Sequence, residues 1–115
     1  MNQQVKQKWI SALLSGDYQQ GKEALCEDGK YCCLGVLCDL YRKEHPETQW
    51  QKGTYSREFF LGQADYLPSE VERWAGLTQQ DPEVHIGDGF YKKLSDLNDT
   101  GSSFEKIANL VNEQL

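Results

Sequence analysis

Residues 30–43 read KYCCLGVLCDLYRK and hold three of the chain's four cysteines within seven positions. Thiols so close together can be a metal site, a nucleophile, a disulfide or packing, and the choice decides the fold. The pattern favours packing. Leu34, Leu37, Cys38 and Tyr41 fall at i, i+3, i+4 and i+7, and Val36 and Leu40 add a second face. Apolar residues therefore run most of the way round a helix from about Cys33 to Glu44, which is expected at the centre of the molecule. Gly35 inside it costs about 1 kcal/mol of helix propensity relative to alanine, so a close neighbour is expected there. His45-Pro46 ends the helix, because the residue before a proline avoids helical backbone.

Working outward, Asp28-Gly29 is a two-residue hairpin signal. The turn sets Glu27 opposite Lys30, Cys26 opposite Tyr31 and Leu25 opposite Cys32, with the charge pair at the exposed tip. In that register Cys26 and Cys32 point to opposite faces of the ribbon. Vicinal Cys32 and Cys33 point apart, and Cys38 and His45 stand two helical turns apart, so no metal is expected. A thiol nucleophile needs a base and an electropositive setting, and nothing fixes the remote His85 nearby. Cys26, Cys32, Cys33 and Cys38 read as free thiols, with Cys33 and Cys38 as small core residues. Lys30, Tyr31, Asp39 and Arg42 remain at the edge of this segment as candidates for function.

The rest of the chain gives an α+β fold, with about four helices packed on small antiparallel hairpins in a single domain over residues 1–115. Val5, Trp9 and Leu13 mark an N-terminal helix that stops at Gly16. Two short strands are expected around Gln49–Lys52 and Phe59–Leu61. A third helix follows, with Ser69 and Glu72 as a capping box, Val71 and Trp74 inward, and Gly76 as its end. A second hairpin joins Val84–Ile86 to Phe90–Tyr91 through GDG. Residues 98–101 read as a turn. The last helix carries Phe104, Ile107, Ala108 and Val111 on one face, with Ser102 and Glu105 as another capping box.

Composition narrows the function. Aromatic residues are 11% of the chain, which argues against disorder. The net charge of −6 repels phosphate backbones, so no duplex DNA binding is expected. No apolar run approaches the about 20 residues that span a bilayer. Polar residues interrupt the apolar positions of the N-terminus, so it does not read as a signal peptide. A soluble cytoplasmic protein with no membrane contact is expected.

Four segments could carry chemistry. GDYQQG, residues 16–21, suits a ring resting on Tyr18 with Gln20 bonding its edge, and suits an ordinary loop equally well. The aromatic middle sets Trp50, Tyr55, Phe59, Phe60 and Tyr66 among Lys52 and Arg57. Rings with interleaved cations hold single nucleotides, and also build subunit interfaces. The segment from Leu94 to Leu110 suggests a helix-turn-helix, but Lys106 is the only cation on its last helix. The paired carboxylates Asp96 and Asp99 form no complete acid–base or calcium constellation.

Taken together, YCCLGVLCDL (31–40), G-x-Y-x-Q-G (16–21), W-x-x-A-L (9–13) and L-x-x-L-N-D-x-G-x-S-F-x-x-I-A (94–108) resemble a group of small uncharacterised phage and prophage proteins. The resemblance covers both ends of the chain and carries no catalytic assignment. It implies a phage-encoded accessory protein acting in the cytoplasm of the host cell. The expected function is a non-enzymatic anti-defence protein that sequesters a small nucleotide-type signalling ligand, as a homo-oligomer and without a cofactor. Tyr18, Gln20, Trp50, Arg57 and Asn98 are the expected ligand contacts: rings for stacking, amides for base or ribose edges, arginine for phosphate. The alternatives are a protein-binding inhibitor of a host defence or nucleic-acid enzyme, and a small hydrolase.

Overall fold

The computed structural model describes residues 1–115 as an α+β fold of five helices and two antiparallel sheets. Helix α1 (Gln3–Leu14) starts at Asn2, whose side chain accepts from the Val5 amide. It buries Val5, Trp9 and Leu13. Strands β1 (Cys26–Glu27) and β2 (Lys30–Tyr31) form the expected hairpin, with Cys26 opposite Tyr31 and Glu27 opposite Lys30. Helix α2 (Cys33–Glu44) follows at once. Every residue from Cys33 to Asp39 is buried, as its nearly continuous apolar surface requires. A Cβ on Gly35 would collide with the Leu25 carbonyl just before β1. Glycine is what lets the helix lie against the hairpin.

Strands β3 (Gln51–Lys52) and β4 (Arg57–Phe59) complete the first sheet, in the order β2-β1-β4-β3. Both strands fall somewhat off the ranges read from sequence, because β4 is set by pairing with β1 at Cys26–Glu58 and Glu27–Arg57. Helix α3 (Ser69–Ala75) follows. Its cap position is Pro68, with no side-chain bond, so the expected Ser69–Glu72 capping box does not form. Ser69 already has helical backbone, and its hydroxyl is one residue too late to cap.

Strands β5 (Glu83–Gly87) and β6 (Phe90–Lys93) form a separate two-stranded sheet, with a bulge between His85 and Gly87. Helix α4 (Leu94–Asp99) comes next, and α5 (Phe104–Gln114) closes the chain. Helix α4 corrects the reading of residues 98–101 as a turn: Asn98 and Asp99 are helical and only Thr100 caps the end. It is too short and polar to show a period. Ser103, not Ser102, caps α5 by accepting from the Lys106 amide.

The core is built around α1, which packs on both α2 and α5, and includes Trp9, Leu34, Leu37, Leu67, Ile107 and Val111. The buried Trp9 indole donates to the Cys33 carbonyl at 3.0 Å. All four cysteines are buried and unbridged.

Candidate functional site

Helix α2 carries one carboxylate into the interior. Asp39 is only 5% exposed, yet it accepts four hydrogen bonds. The Tyr18 hydroxyl donates at 2.6 Å and the Trp50 indole at 3.0 Å. Arg42, one turn on, donates through Nε at 2.6 Å and Nη2 at 3.1 Å. Burial alone would raise the Asp39 pKa, but these donors outweigh it and hold the carboxyl below its ordinary value. Burial, with Asp39 as acceptor, pushes the Tyr18 phenol up. Tyr31 stands between Tyr18 and Trp50, edge-on to each, with ring centroids 5.1 and 5.9 Å away. Tyr18 and Trp50 are therefore brought together, but their polar ends are spent on Asp39. Asp39 and Arg42 serve as the hub of this cluster, not as a free edge.

Gln20 and Asn98 meet in a second cluster. Asn98 is fully buried, and its side-chain oxygen accepts from the Gln20 amide at 2.9 Å and the Cys33 backbone at 3.2 Å. Its amide donates to the Gly21 carbonyl at 2.8 Å and to Asp99 at 3.1 Å. Both donors and both acceptor directions are used, so Asn98 has nothing left for a ligand in this conformation. It ties three motif segments together: the 16–21 loop, the start of α2, and α4. Gln20 gives a further bond to the Ser102 carbonyl at 2.8 Å.

Arg57 stands elsewhere. Antiparallel pairing of β1 with β4 brings the Asp28-Gly29 turn beside the 53–56 turn, and the Asp28 amide donates to the Ser56 carbonyl at 3.2 Å. Between the two tips lies a cleft of 390 Å³ lined by Asp28, Lys52, Gly53, Ser56, Arg57 and Glu58. Tyr55 and Ser56 both have left-handed backbone, with φ of 56° and 66°. Such angles are uncommon outside glycine and merit attention on a bulky residue. The Tyr55 side chain is 95% exposed at this tip. Arg57 is held loosely, by Asp65 at 3.4 Å, by Glu27 at 3.9 Å and by a bond from its Nη2 to the Glu23 carbonyl at 3.3 Å. Exposed pairs of this kind are worth about 0–1 kcal/mol, so the guanidinium is easily redirected.

The thiols offer little chemistry. Burial pushes Cys26 and Cys32 up to about 12, and Cys33 and Cys38 well above the ordinary thiol value. Cys26 also donates to Glu58 at 3.1 Å, which further favours the protonated form. Thiols held protonated in this way are poor nucleophiles. No group of three or more His, Cys, Asp or Glu side chains gathers to hold a metal ion. No helix is long and apolar enough to cross a membrane.

The sequence reading thus named five residues, which the fold distributes over three places. It placed Lys52 and Tyr55 in the aromatic middle without naming them as contacts, and Asp39 at the edge of its segment. Lys52 lines the cleft, Tyr55 stands on the turn beside it, and Asp39 is the hub. A lone carboxylate in an otherwise apolar stretch, three residues before an arginine, was the signal for that hub. No curated protein and no solved structure matches the chain. Over its whole length, residues 1–115, the chain matches and belongs to the family described as a domain of unknown function, DUF8296.

Proposed function

We propose that this protein binds and holds a small nucleotide-type anion in the cleft between the two hairpin tips, without transforming it. The observation that carries the reading is the company kept by Arg57. Two cations, Lys52 and Arg57, line a cleft beside the exposed ring of Tyr55. The cations would hold phosphate, and the ring would stack on a base. Asp28 and Glu58 line the same cleft and would accept from ribose hydroxyls or a base amino group. That mixed lining suits a nucleotide better than bare phosphate. The cleft volume of 390 Å³ falls within the range of about 300–1,000 Å³ common for small-ligand sites.

The likeness of the motif segments to phage and prophage proteins supports a setting inside an infected cell, where holding a nucleotide signal would blunt host defence. Tyr18, Gln20, Trp50 and Asn98 then act as the frame of the fold, and Arg57 is retained from the expected contacts.

The test is calorimetric titration with a panel of mononucleotides and cyclic dinucleotides, joined to native mass spectrometry after exposure to infected-cell lysate. Binding of one class, released unchanged on denaturation and weakened at least about tenfold by Arg57→Ala, supports the reading. No bound mass from lysate and no heat with any nucleotide would overturn it. A chemically altered ligand would point to an enzyme instead.

A further inference from the structure

The β5–β6 hairpin has two edges, and only one is covered. On β5, the His85 amide donates to the Gln114 side-chain oxygen at 2.7 Å, and the Gln114 amide donates back to the His85 carbonyl at 2.7 Å. The Glu83 amide donates to the Gln79 side chain at 2.9 Å. Two glutamines thus stand in for a neighbouring strand. In an antiparallel pair, residues opposite each other turn their backbone groups the same way, both inward or both outward. Tyr91 lies opposite His85, and Lys93 opposite Glu83. Their amides therefore face outward on the β6 edge, as does the Tyr91 carbonyl. No bond outside the hairpin reaches these groups.

Every residue of β6 is exposed, with Phe90 at 66% and Tyr91 at 63%. Lys92 lies opposite the buried Val84, so it shares the face turned toward the helices. There it borders a groove of 400 Å³ whose apolar lining is Ile86, Leu97 and Leu110, and whose charged residues are Lys92 and Lys106. No carboxylate lines this groove, on a chain whose net charge is −6.

We propose that β6 is a docking edge for an extended segment of a partner protein in which acidic and apolar residues alternate. The segment adds as a third strand, bonding main chain to main chain at Tyr91 and Lys93. Carboxylates on its inner face meet Lys92 and Lys106 across the groove, and its apolar side chains lie on the outer face beside Tyr91. A second copy of this chain fits the edge poorly. Antiparallel self-pairing centred on Tyr91 sets Lys92 diagonally across from its own counterpart. Centring on Lys92 or Lys93 sets like charges directly opposite.

The experiment uses the full chain and a fluorescent peptide alternating glutamate with valine, with a lysine–valine peptide as control. Anisotropy should rise with the acidic peptide only, and affinity should fall at least about tenfold between low and high salt. The charge reversals Lys92→Glu and Lys106→Glu lie on the surface and should abolish binding while thermal melts stay unchanged. N-methylation of the peptide backbone on the pairing side should do the same. No binding of the acidic peptide, equal binding of the control, or indifference to N-methylation would overturn the proposal. So would a stable dimer in sedimentation that Tyr91→Pro dissolves, because the edge would then belong to a second copy. None of these readings depends on the nucleotide cleft, and Arg57→Ala should leave peptide binding intact.

Discussion

Two hairpins in this protein turn on the same dipeptide. Asp28-Gly29 has φ of 53° and 73°, and Asp88-Gly89 has φ of 50° and 77°. Both are two-residue turns with positive φ at each position, the geometry that best matches strand twist. Yet the first hairpin is drawn into the body of the fold and the second stands out from it. β1 pairs on both sides, with β2 and β4, and its Cys26 and the preceding Leu25 are buried. β6 pairs on one side only, and all of its residues are exposed. The turn is a local matter, whereas the fate of the strands depends on what packs against them. The difference also sorts the functional proposals: the first hairpin supplies one wall of a cleft, and the second supplies an open edge.

The contrast can be broken most severely at Gly35. Alanine there must push α2 away from Leu25, and overpacking of this kind should cost about 3 kcal/mol or more. Chemical denaturation measures it. A near-neutral Gly35→Ala would mean that the first hairpin is not locked to α2.

A slightly smaller effect is expected at Asp39, beneath Tyr31 of the same hairpin. Asp39→Ala leaves Arg42 without its partner and should cost about 3 kcal/mol, the low end for a broken buried pair, because Arg42 keeps contact with water. The pH dependence has a definite sign. The folded pKa lies below the unfolded one, so the fold binds the ionised form more tightly. The stabilisation is full above the unfolded value of about 4 and is lost as pH falls through the folded value. Asp39→Asn should therefore flatten the acid limb of a stability–pH curve. An unchanged acid limb would remove Asp39 from its role as hub.

The finest comparison is Gly29→Ala against Gly89→Ala. Each places a Cβ on left-handed backbone and should cost about 1 kcal/mol locally. Hydrogen exchange should separate them. Gly29→Ala should deprotect β4 as well as its own hairpin, while Gly89→Ala should loosen only β5 and β6. Matching exchange patterns would show that the two hairpins are equally embedded.

Much of this could be read from residue order alone. The α2 stripe, the register of the first hairpin, the turn of the second and the apolar face of α5 all depend on neighbours within a few positions. Periodicity and turn chemistry report such relations directly. Helix α4 escaped because six residues with two leucines carry no period. The caps of α3 and α5 each fall one residue from the expected serine, because packing of the whole chain sets the first helical residue and local signals place it only to within a residue or two. The candidate site was less legible. Asn98 looked like a free amide, yet it is saturated by groups from Gln20, Gly21 and Cys33, far away in sequence. Arg57 was named as a contact, whereas Tyr55 was read only as one ring of the aromatic middle, since only the fold sets both at one turn tip.

The sequence by itself determined where the chain bends, which faces are apolar and that the thiols belong inside, since these follow from local geometry and the cost of wetting apolar surface. Only the tertiary structure decided that Asp39 is a buried hub, that the two turn tips enclose a cleft, and that the outer edge of β6 is left open. Those outcomes depend on which distant groups satisfy one another's hydrogen bonds. That accounting closes only when the whole chain has packed.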